Sequence, residues 1–375
     1  MTKARSNATA EAAKGDLRVG SGTNLSNILA VGADGTTIVA DSAATTGLRY
    51  SATPSASNPI LNSNFNIWQR GTSIAATGGS GVYTADRWSC YNASYTVSQQ
   101  DTSDTTNLPF ISKCARVIRR VGETSVAGVN FVQPLETVNT KPFIGKTATL
   151  SFYARAGANY SSTSSALAVY LLGGTGTDQN PNNTYTGQSL VITQTATLTT
   201  TWQRFTYTTS GAIDTSVNEL AVQFTSIGVG TAGAADYFEV TGVQLDIGSV
   251  ALPYRTYAAT IQGELAACQR YYVRFDGASY AVSGYGTFTS ATNAVIMTPL
   301  PSTMRIAPSA VDWGTLSVFE YSAAFTPSAV TMDTSYTNPK VAAVNATITG
   351  ATAGRSAFFR TSGSTAGFIG YSAEL

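Results

Sequence analysis

Three pairs of acidic residues are the groups in this 375-residue chain that could act as a general acid and a general base. They are Asp101 with Asp104, Asp214 with Glu219, and Asp236 with Glu239. Two carboxyl groups about 5–10 Å apart are enough to hydrolyse a glycosidic bond. None of the pairs stands in a cluster of arginine and aromatic residues that would indicate a sugar-cleaving pocket. We therefore interpret the pairs as solvated surface and predict that the protein is not an enzyme.

The sequence lacks the residues that several other catalytic mechanisms require. The chain contains no histidine, which excludes Ser-His-Asp and Cys-His catalysis and histidine-ligated zinc or iron. It also lacks the GxxxxGKS/T loop that cradles phosphates. Cys90, Cys114 and Cys268 are widely separated and follow no metal-ligand spacing. We interpret them as small buried apolar residues of a protein that folds in a reducing cytosol, with a disulfide between Cys90 and Cys114 as the alternative. No cofactor is predicted.

Aromatic side chains can bind sugars without catalysis, because a flat ring packs against a pyranose while nearby amides and hydroxyls orient it. Trp68 and Trp88 fall within strand patterns and are expected in a core. A second group stands near loops and turns, and part of it must fill the core of a small domain: Tyr185, Tyr280, Tyr285, Phe288, Trp313, Tyr321 and Tyr336. The candidate ligand-binding residues are Tyr185, which lies in an asparagine-rich loop, and Tyr280, Tyr285, Trp313 and Tyr321.

Composition and charge limit the class of protein. Only 11% of the residues are charged and 43% are apolar, which rules out a disordered chain and favours short strands with tight turns. The net charge of +1 offers no field that would attract nucleic acid. The one basic cluster, Arg116, Arg119 and Arg120, is interpreted as a solvated strand face or a subunit contact. No 18-residue apolar run predicts membrane insertion, and the first residues lack the apolar core of a signal peptide.

Strand patterns separated by turn residues cover most of the chain after residue 58. In the middle of the chain we predict strands at 65–68, 87–91, 95–99, 114–121, 129–135, 148–155, 166–172, 202–208, 220–225 and 237–245. In the last third we predict them at 271–275, 294–298, 317–321, 330–332, 340–348, 356–360 and 368–373. Two long polar loops, residues 100–109 and 173–187, are expected to carry function or a subunit contact.

The first 57 residues contain short apolar pairs split by turns and very few large side chains, too few for a core of their own. We predict that they are stabilised by intertwining with symmetry copies or by docking onto another protein. Residues 51–58 (SATPSASN) have the composition of a linker.

Residues 237–272 (YFEVTGVQLDIGSVALPYRTYAATIQGELAACQRYY) change their apolar period in the middle. The first ten alternate as a strand does, with Phe238, Val240 and Gly242 on one face and Val243 on the other. After Pro253 the period becomes helical, with Ile261, Leu265, Cys268 and Tyr272 on one side and Thr260 as N-cap. The pattern predicts a short helix that joins two β domains.

This stretch resembles the end of a jelly-roll domain found in virion fibre proteins of tailed phages and prophages. The shared features are the TGVQL strand, the ELxxCQRYY helix, residues 58–71 (NPILNSNFNIWQRG), Asp86-Arg87-Trp88, residues 150–156 (LSFYARA) and the FIGYSAEL ending. The resemblance implies an attachment segment at 1–57, a carbohydrate-binding-module-like jelly roll at 58–257 and a C-terminal β domain at 258–375. It also implies a homotrimer in a virion assembled in the host cytoplasm. Related jelly rolls often hold a structural calcium, for which Asn62, Asn64 and Asp246 could supply oxygens, although we do not assert one.

Three hypotheses follow, in order of preference. The first is a tail fibre or receptor-binding protein that binds host surface glycan without catalysis and attaches to another virion protein through residues 1–57. The second is a purely structural head-decoration or collar fibre without a receptor. The third is a carboxylate-dependent polysaccharide depolymerase.

Overall fold

The computed structural model describes residues 13–23, 25–32, 36–52, 58–78, 81–183, 185–277, 279–363 and 366–375. Within them the chain is almost entirely β-structure, which confirms the all-β prediction. Helical structure in this part is limited to α1 (Thr137–Thr140), α2 (Ile261–Gln269) and the 3₁₀ turns Lys141–Phe143, Thr163–Ser165 and Pro181–Asn183. None of the helices in the described ranges is long and apolar enough to cross a membrane.

Two strand pairs form the described part of the first unit. They are β1 (Leu17–Gly22) with β2 (Leu25–Leu29), and β3 (Thr36–Ala40) with β4 (Leu48–Ala52), both antiparallel. Leu17, Leu25 and Ile38 are exposed. A two-stranded ribbon buries too little apolar surface to be stable by itself in water, so this unit needs contacts from elsewhere. Most of the predicted linker at 51–58 lies outside the described residues.

The central unit is a sandwich of two antiparallel six-stranded sheets. Its strands are β5 (Ser73–Ala75), β6 (Val82–Tyr83), β7 (Ser89–Tyr91), β8 (Tyr95–Asp101), β9 (Lys113–Arg119), β10 (Val129–Pro134), β11 (Ala148–Ala156), β12 (Ala166–Gly174), β13 (Ser189–Thr197), β14 (Gln203–Thr208), β15 (Glu219–Ser226) and β16 (Tyr237–Ile247). The sheet orders are β13-β12-β15-β10-β7-β6 and β14-β11-β16-β9-β8-β5. Inward side chains of both sheets meet in one core around Trp88, Phe131, Phe152 and Phe224. The predicted β-sandwich is confirmed.

Most predicted strands are present with small shifts at their ends, but residues 65–68 form no strand. Phe65 has a φ of +56°, and the Asn62 side chain both donates to and accepts from the Ile67 backbone, at 2.7 and 2.9 Å. These bonds hold the segment as a loop. The sequence also did not reveal β5, β6 and β13, because the first two are very short and the third is an edge strand with mostly exposed side chains.

The C-terminal unit packs a seven-stranded sheet on a three-stranded one, with the orders β22-β21-β25-β18-β19-β24-β23 and β17-β26-β20. Phe288, Ile296 and Phe359 from the larger sheet meet Ile369 and Tyr371 from the smaller. Its strands are β17 (Tyr272–Asp276), β18 (Val282–Ser290), β19 (Asn293–Pro299), β20 (Ala310–Gly314), β21 (Leu316–Glu320), β22 (Ala323–Phe325), β23 (Ala329–Met332), β24 (Val341–Thr347), β25 (Ser356–Thr361) and β26 (Phe368–Ser372). The prediction missed β18, β20 and β22; in β18 glycines interrupt the apolar pattern.

The predicted joining helix is present as α2, and its predicted N-cap is confirmed. The Thr260 hydroxyl accepts a hydrogen bond from the Gly263 backbone N–H at 3.2 Å. The predicted buried face is only partly right, because Ile261 is exposed while Glu264 and Cys268 are buried. The Glu264 carboxylate accepts backbone N–H bonds from Asn62 and Ala258, which makes burial of this acid tolerable.

Buried polar contacts connect the central and C-terminal units. We call the set Arg87, Glu136, Arg270, Tyr271 and Glu374 the Arg87 junction. Arg87 is 1% exposed, pairs with Glu374, donates to the Pro134 carbonyl at 2.8 Å and lies 3.6 Å above the Tyr271 ring. Burial opposes its charge, yet the attractions of Glu374, Tyr271 and Tyr83 and the hydrogen bond to Glu374 together outweigh burial and raise the pKa of Arg87 above its usual value.

Glu136 is the second acid of the Arg87 junction. It accepts hydrogen bonds from Arg270 at 2.7 Å and from the Tyr271 hydroxyl at 2.8 Å. Because Glu136 precedes α1 and Tyr271 precedes β17, these bonds join the end of one sheet to the start of the next. The limits of the three units, at 57/58 and 257/258, stay predictions.

A β-bulge at Gly242 changes which residues of β16 face the core. Tyr153 pairs with Thr241 and Ser151 with Gln244, so Gly242 and Val243 together stand opposite one residue of β11. The extra residue turns Val243 into the same core as Phe238 and Val240, so its predicted placement on the opposite face is wrong. Gly242 has a φ of +58°, and a Cβ there would lie 2.8 Å from the Ile111 side chain and 2.9 Å from Tyr153.

Gly242→Ala is therefore expected to lower the free energy of unfolding by about 2–4 kcal/mol, because strained backbone and overpacking add. Two matched variants separate the causes in urea denaturation. Gly122→Ala, with a φ of +82° and open space around its Cβ, should lose only about 1 kcal/mol. Gly211→Ala, with open space and no strained φ, should change by less than about 0.5 kcal/mol. Equal losses at Gly242 and Gly122 would contradict the packing argument.

Candidate functional site

The outer face of the seven-stranded sheet carries four apolar side chains in line, which we call the aromatic row: Phe319, Phe358, Tyr285 and Met297. Phe319 stands opposite Phe358, Phe358 opposite Tyr285, and Tyr285 opposite Met297. They come from β21, β25, β18 and β19, which are neighbours in the sheet. Because side chains alternate along a strand, Phe359 faces the core while Phe358 faces outward.

The aromatic row forms a shallow surface in which Tyr285 and Met297 are exposed and Phe319 and Phe358 are half-buried. The centroids of Phe319 and Phe358 are 5.2 Å apart, and those of Phe358 and Tyr285 are 6.5 Å apart. Tyr285 is 67% exposed and Met297 is 40% exposed. Contiguous exposed apolar surface of this kind usually marks a contact site rather than ordinary surface.

A second row, which we call the polar row, runs beside the aromatic row on the same face: Thr287, Asn345 and Thr331, with the apolar Val295 between Thr287 and Asn345. Thr287 stands opposite Val295, Val295 opposite Asn345, and Asn345 opposite Thr331. The Asn345 amide is fixed, since it donates to Asp333 at 3.0 Å and accepts from Asn293 at 3.1 Å. Hydroxyls and an oriented amide therefore adjoin aromatic rings, a combination that is suited to contact with sugar rings.

Arg360 and Tyr280 border the aromatic row on its other side. Arg360 follows Phe358 by two residues on β25, and its guanidinium carbon lies 3.4 Å from the Phe319 ring centroid. The same carbon lies 4.8 Å from the Tyr280 ring centroid. The face therefore offers aromatic, hydroxyl, amide and guanidinium groups, which are suited to contact with a polar ligand that has an apolar face.

The structure brings two of the five predicted ligand-binding residues together. Tyr285 belongs to the aromatic row, and Tyr280 lies over Arg360 at its border. Tyr321 is fully exposed in the turn after β21, beyond the row. Trp313 belongs to β20 in the smaller sheet, where it is half-buried and packs against the core.

Tyr185 was expected to contact a ligand, and the structure contradicts this. It is only 2% exposed, packs with Val132 and Leu172, and donates its hydroxyl to the Leu220 carbonyl at 3.2 Å. The long loop folds back over the sheet and leaves this ring no free face. Phe319 and Phe358 were missed, although LSVFE and SAFFR carry apolar residues on both faces, more than a half-buried strand requires.

The acidic pair Asp236 and Glu239 has structural partners. Asp236 accepts from the Ser161 hydroxyl at 2.7 Å and pairs with Arg119 at 3.3 Å. Arg119 is buried and also donates to the Ser125 and Gly230 carbonyls, so its interpretation as solvated or subunit surface is wrong. Glu239 pairs with both Arg116 and Arg155, at 2.6 and 2.5 Å.

The other two acidic pairs also stabilise local structure. Asp101 pairs with Lys113, and Asp104 accepts from the Asn107 side chain and from the Thr106 and Asn107 backbones. These hydrogen bonds, led by the one from the Asn107 side chain, lower the pKa of Asp104. Asp214 accepts from the Ser216 backbone at 2.8 Å, and Glu219 accepts from the Gln179 backbone at 2.8 Å.

Two of the three residues considered for calcium have other roles, while the side-chain oxygen of the third, Asn64, is buried without a hydrogen-bond partner. Asp246 pairs with Arg255 at 2.8 Å, and Asn62 binds the Ile67 backbone. No cluster of three or more acidic, cysteine or histidine side chains suited to a metal occurs in the described part of the chain.

The three cysteines are buried free thiols, as their interpretation as small apolar residues requires. Burial raises the pKa of each thiol. They are therefore protonated and unreactive near neutral pH.

A second uncharged surface lies on the outer face of the sheet β13-β12-β15-β10-β7-β6. Cross-strand register lines up Tyr91, Asn130, Thr225, Ala168 and Thr195. The Thr225 hydroxyl donates to Asn130 at 2.8 Å. This surface has polar groups like those beside the aromatic row. Of its five aligned residues, however, only Tyr91 carries an aromatic ring.

No protein-family model matches this chain, and no curated protein does. Similar solved structures include one described as "CBM4 structure and function", 20% identical, covering 50% of this chain and 99% of the other with a TM-score of 0.31. Another is an apo cyclase from Fischerella sp., 13% identical, covering 54% of this chain and 100% of the other with a TM-score of 0.36.

A third similar structure is the enzymatically active domain of tailspike protein 4 from bacteriophage CBA120. It is 15% identical and covers 51% of this chain but only 21% of the other, with a TM-score of 0.30. Likenesses this distant carry no argument about function.

Because Tyr185 is buried and Tyr285 is exposed, we expect their truncation to lower the free energy of unfolding by different amounts. Tyr185→Ala should lower the free energy of unfolding by about 3–5 kcal/mol, because it empties a buried ring site. Tyr285→Ala should lower it by less than about 1 kcal/mol, because that ring is mostly exposed. Thermal or urea unfolding of the two variants checks this, and similar losses would contradict the assigned burial.

Proposed function

We propose that this protein is a non-catalytic fibre component of a tailed-phage virion that contacts host surface glycan through the aromatic row. The observation that carries the proposal is the line of Phe319, Phe358 and Tyr285 beside an uncharged polar row on an uncovered sheet face. Sugar rings present apolar faces edged by hydroxyls, and this surface matches both features.

Binding by stacking on a shallow face is weak per site, so several copies must act together. A homotrimer would present three aromatic rows and gain avidity, provided that its geometry lets them engage one surface. The exposed apolar residues of β1–β4 support association of residues 1–57 with symmetry copies or with another virion protein. The protein would thus act outside the cell as part of a particle assembled in the host cytoplasm.

The proposal excludes catalysis. Each member of the acidic pairs accepts hydrogen bonds or pairs with a cation, and these contacts fix local structure. Glycoside hydrolysis would instead need two acids that face each other across an open cleft. Release of reducing ends from a polysaccharide that the protein binds would contradict this part of the proposal.

Truncating the aromatic row is expected to weaken glycan binding. Tyr285→Ala and Phe358→Ala should each lower affinity for a bound oligosaccharide by about tenfold, the loss of one stacked ring. The measurement is a glycan-array screen of the full chain followed by calorimetric titration of the strongest ligand. Tyr336→Ala, at a tyrosine that is 57% exposed and outside the row, is the matched control and should bind as the parent chain does. Unchanged binding by both row variants would contradict the site.

A second candidate function is a purely structural fibre in which the aromatic row is a contact between subunits. The exposed Tyr285 and Met297 also favour this, because subunit interfaces are rich in such residues. Its consequence differs, since truncation of the row would then disturb assembly.

Sedimentation equilibrium separates the two functions. We expect the full chain to be a trimer, Tyr285→Ala to remain a trimer, and the chain lacking residues 1–57 to dissociate at micromolar concentration. Dissociation of Tyr285→Ala would favour the structural function. A stable monomer of the full chain would contradict trimerisation altogether.

A further inference from the structure

Arg360 differs from the other arginines in how its charge is satisfied. From Arg49 onward, every other arginine of the described residues forms a hydrogen bond or an ion pair with an oxygen: Arg49, Arg70, Arg87, Arg116, Arg119, Arg120, Arg155, Arg204, Arg255, Arg270, Arg274, Arg305 and Arg355. Among the described residues Arg360 forms no hydrogen bond or ion pair; its guanidinium lies against the rings of Phe319 and Tyr280, and its Nε is buried without a partner. Its guanidinium is therefore held in place but not neutralised.

The strand neighbours of Arg360 bring no acid against it within the described sheet. Its cross-strand neighbours are Val282 on β18 and Ser317 on β21, both uncharged. The nearest acid along β21 is Glu320, which pairs with Arg355 at 3.0 Å. Stacking between two rings fixes the plane of a guanidinium, which lowers the entropy lost when it binds a planar anion.

We propose that the aromatic row selects acidic glycans, with Arg360 binding the carboxylate of a sugar whose ring stacks on Phe358 and Tyr285. This rests on the proposed glycan-binding function and adds the charge of the ligand. The planar guanidinium forms two parallel hydrogen bonds to a carboxylate, which a lysine cannot do. A sulfate or phosphate ester on the sugar offers related oxygens and would bind the same group.

The test compares matched acidic and neutral ligands on the full chain. The probes are oligomers of galacturonate, mannuronate and glucuronate, each with its methyl ester, which keeps the ring and removes the charge. Sulfated and phosphorylated dextran, with neutral dextran as reference, report on the other anions. We expect at least one acid to bind about tenfold more tightly than its ester, with a preference that shrinks as salt rises.

Variants assign that preference to Arg360. Arg360→Gln should remove the preference for the acid while leaving binding of the ester within about twofold, and Arg360→Lys should restore only part of it. Lys340→Gln removes the same charge from an exposed position in the turn before β24 and should leave the preference intact. An unchanged preference in Arg360→Gln, or equal loss in Lys340→Gln, would overturn the assignment.

The failures of the two proposals are distinguishable. Binding of neutral glycans alone, with dependence on Tyr285, would overturn the acidic selection and leave the proposed function standing. Binding that is insensitive to both Tyr285 and Arg360 would overturn the site itself. Absence of binding across all probes and the glycan array would overturn both.

Discussion

The buried charge of Arg87 is the constraint on which the arrangement of the two larger units depends. A guanidinium removed from water must be neutralised, and breaking such a buried pair costs about 3–5 kcal/mol. Here the neutralising carboxylate is Glu374, which follows the last strand of the C-terminal unit, while Arg87 belongs to the entry of the sandwich. Tyr271 covers the guanidinium and is itself held by Glu136. The central and C-terminal units thus cannot separate without leaving an unpaired buried charge. This favours a rigid arrangement of their outer sheet faces.

Rigidity matters for the proposed site because the aromatic row is a shallow, open surface. On such a surface affinity would depend on rings that are already in line, so that little conformational entropy is lost on binding. Pairing across four adjacent strands provides this alignment, and the packed inner face of the sheet fixes the strands. The guanidinium of Arg360 is likewise held in place by Phe319 and Tyr280 before an anion binds, so that it too would lose little entropy on binding.

The sequence was sufficient for the fold class and for part of the site. Alternation predicted most strands, and the change of period at residues 237–272 predicted α2 and its Thr260 cap. It did not reveal the bulge at Gly242, which depends on pairing with a distant strand and reverses the faces that follow. Tyr185 was misplaced because loop composition does not show that a loop folds back on the sheet. Tyr285 was found, but its partners Phe319 and Phe358 are separated from it in sequence and meet it only through strand order.

A crystal structure of the full chain with a bound oligosaccharide would show whether the aromatic row is the ligand-binding surface. We expect a sugar ring stacked on Tyr285 and Phe358, with its polar edge towards Asn345 or Arg360. A sugar bound instead on the Tyr91 and Asn130 face of the sandwich, with the aromatic row buried between subunits, would contradict this expectation.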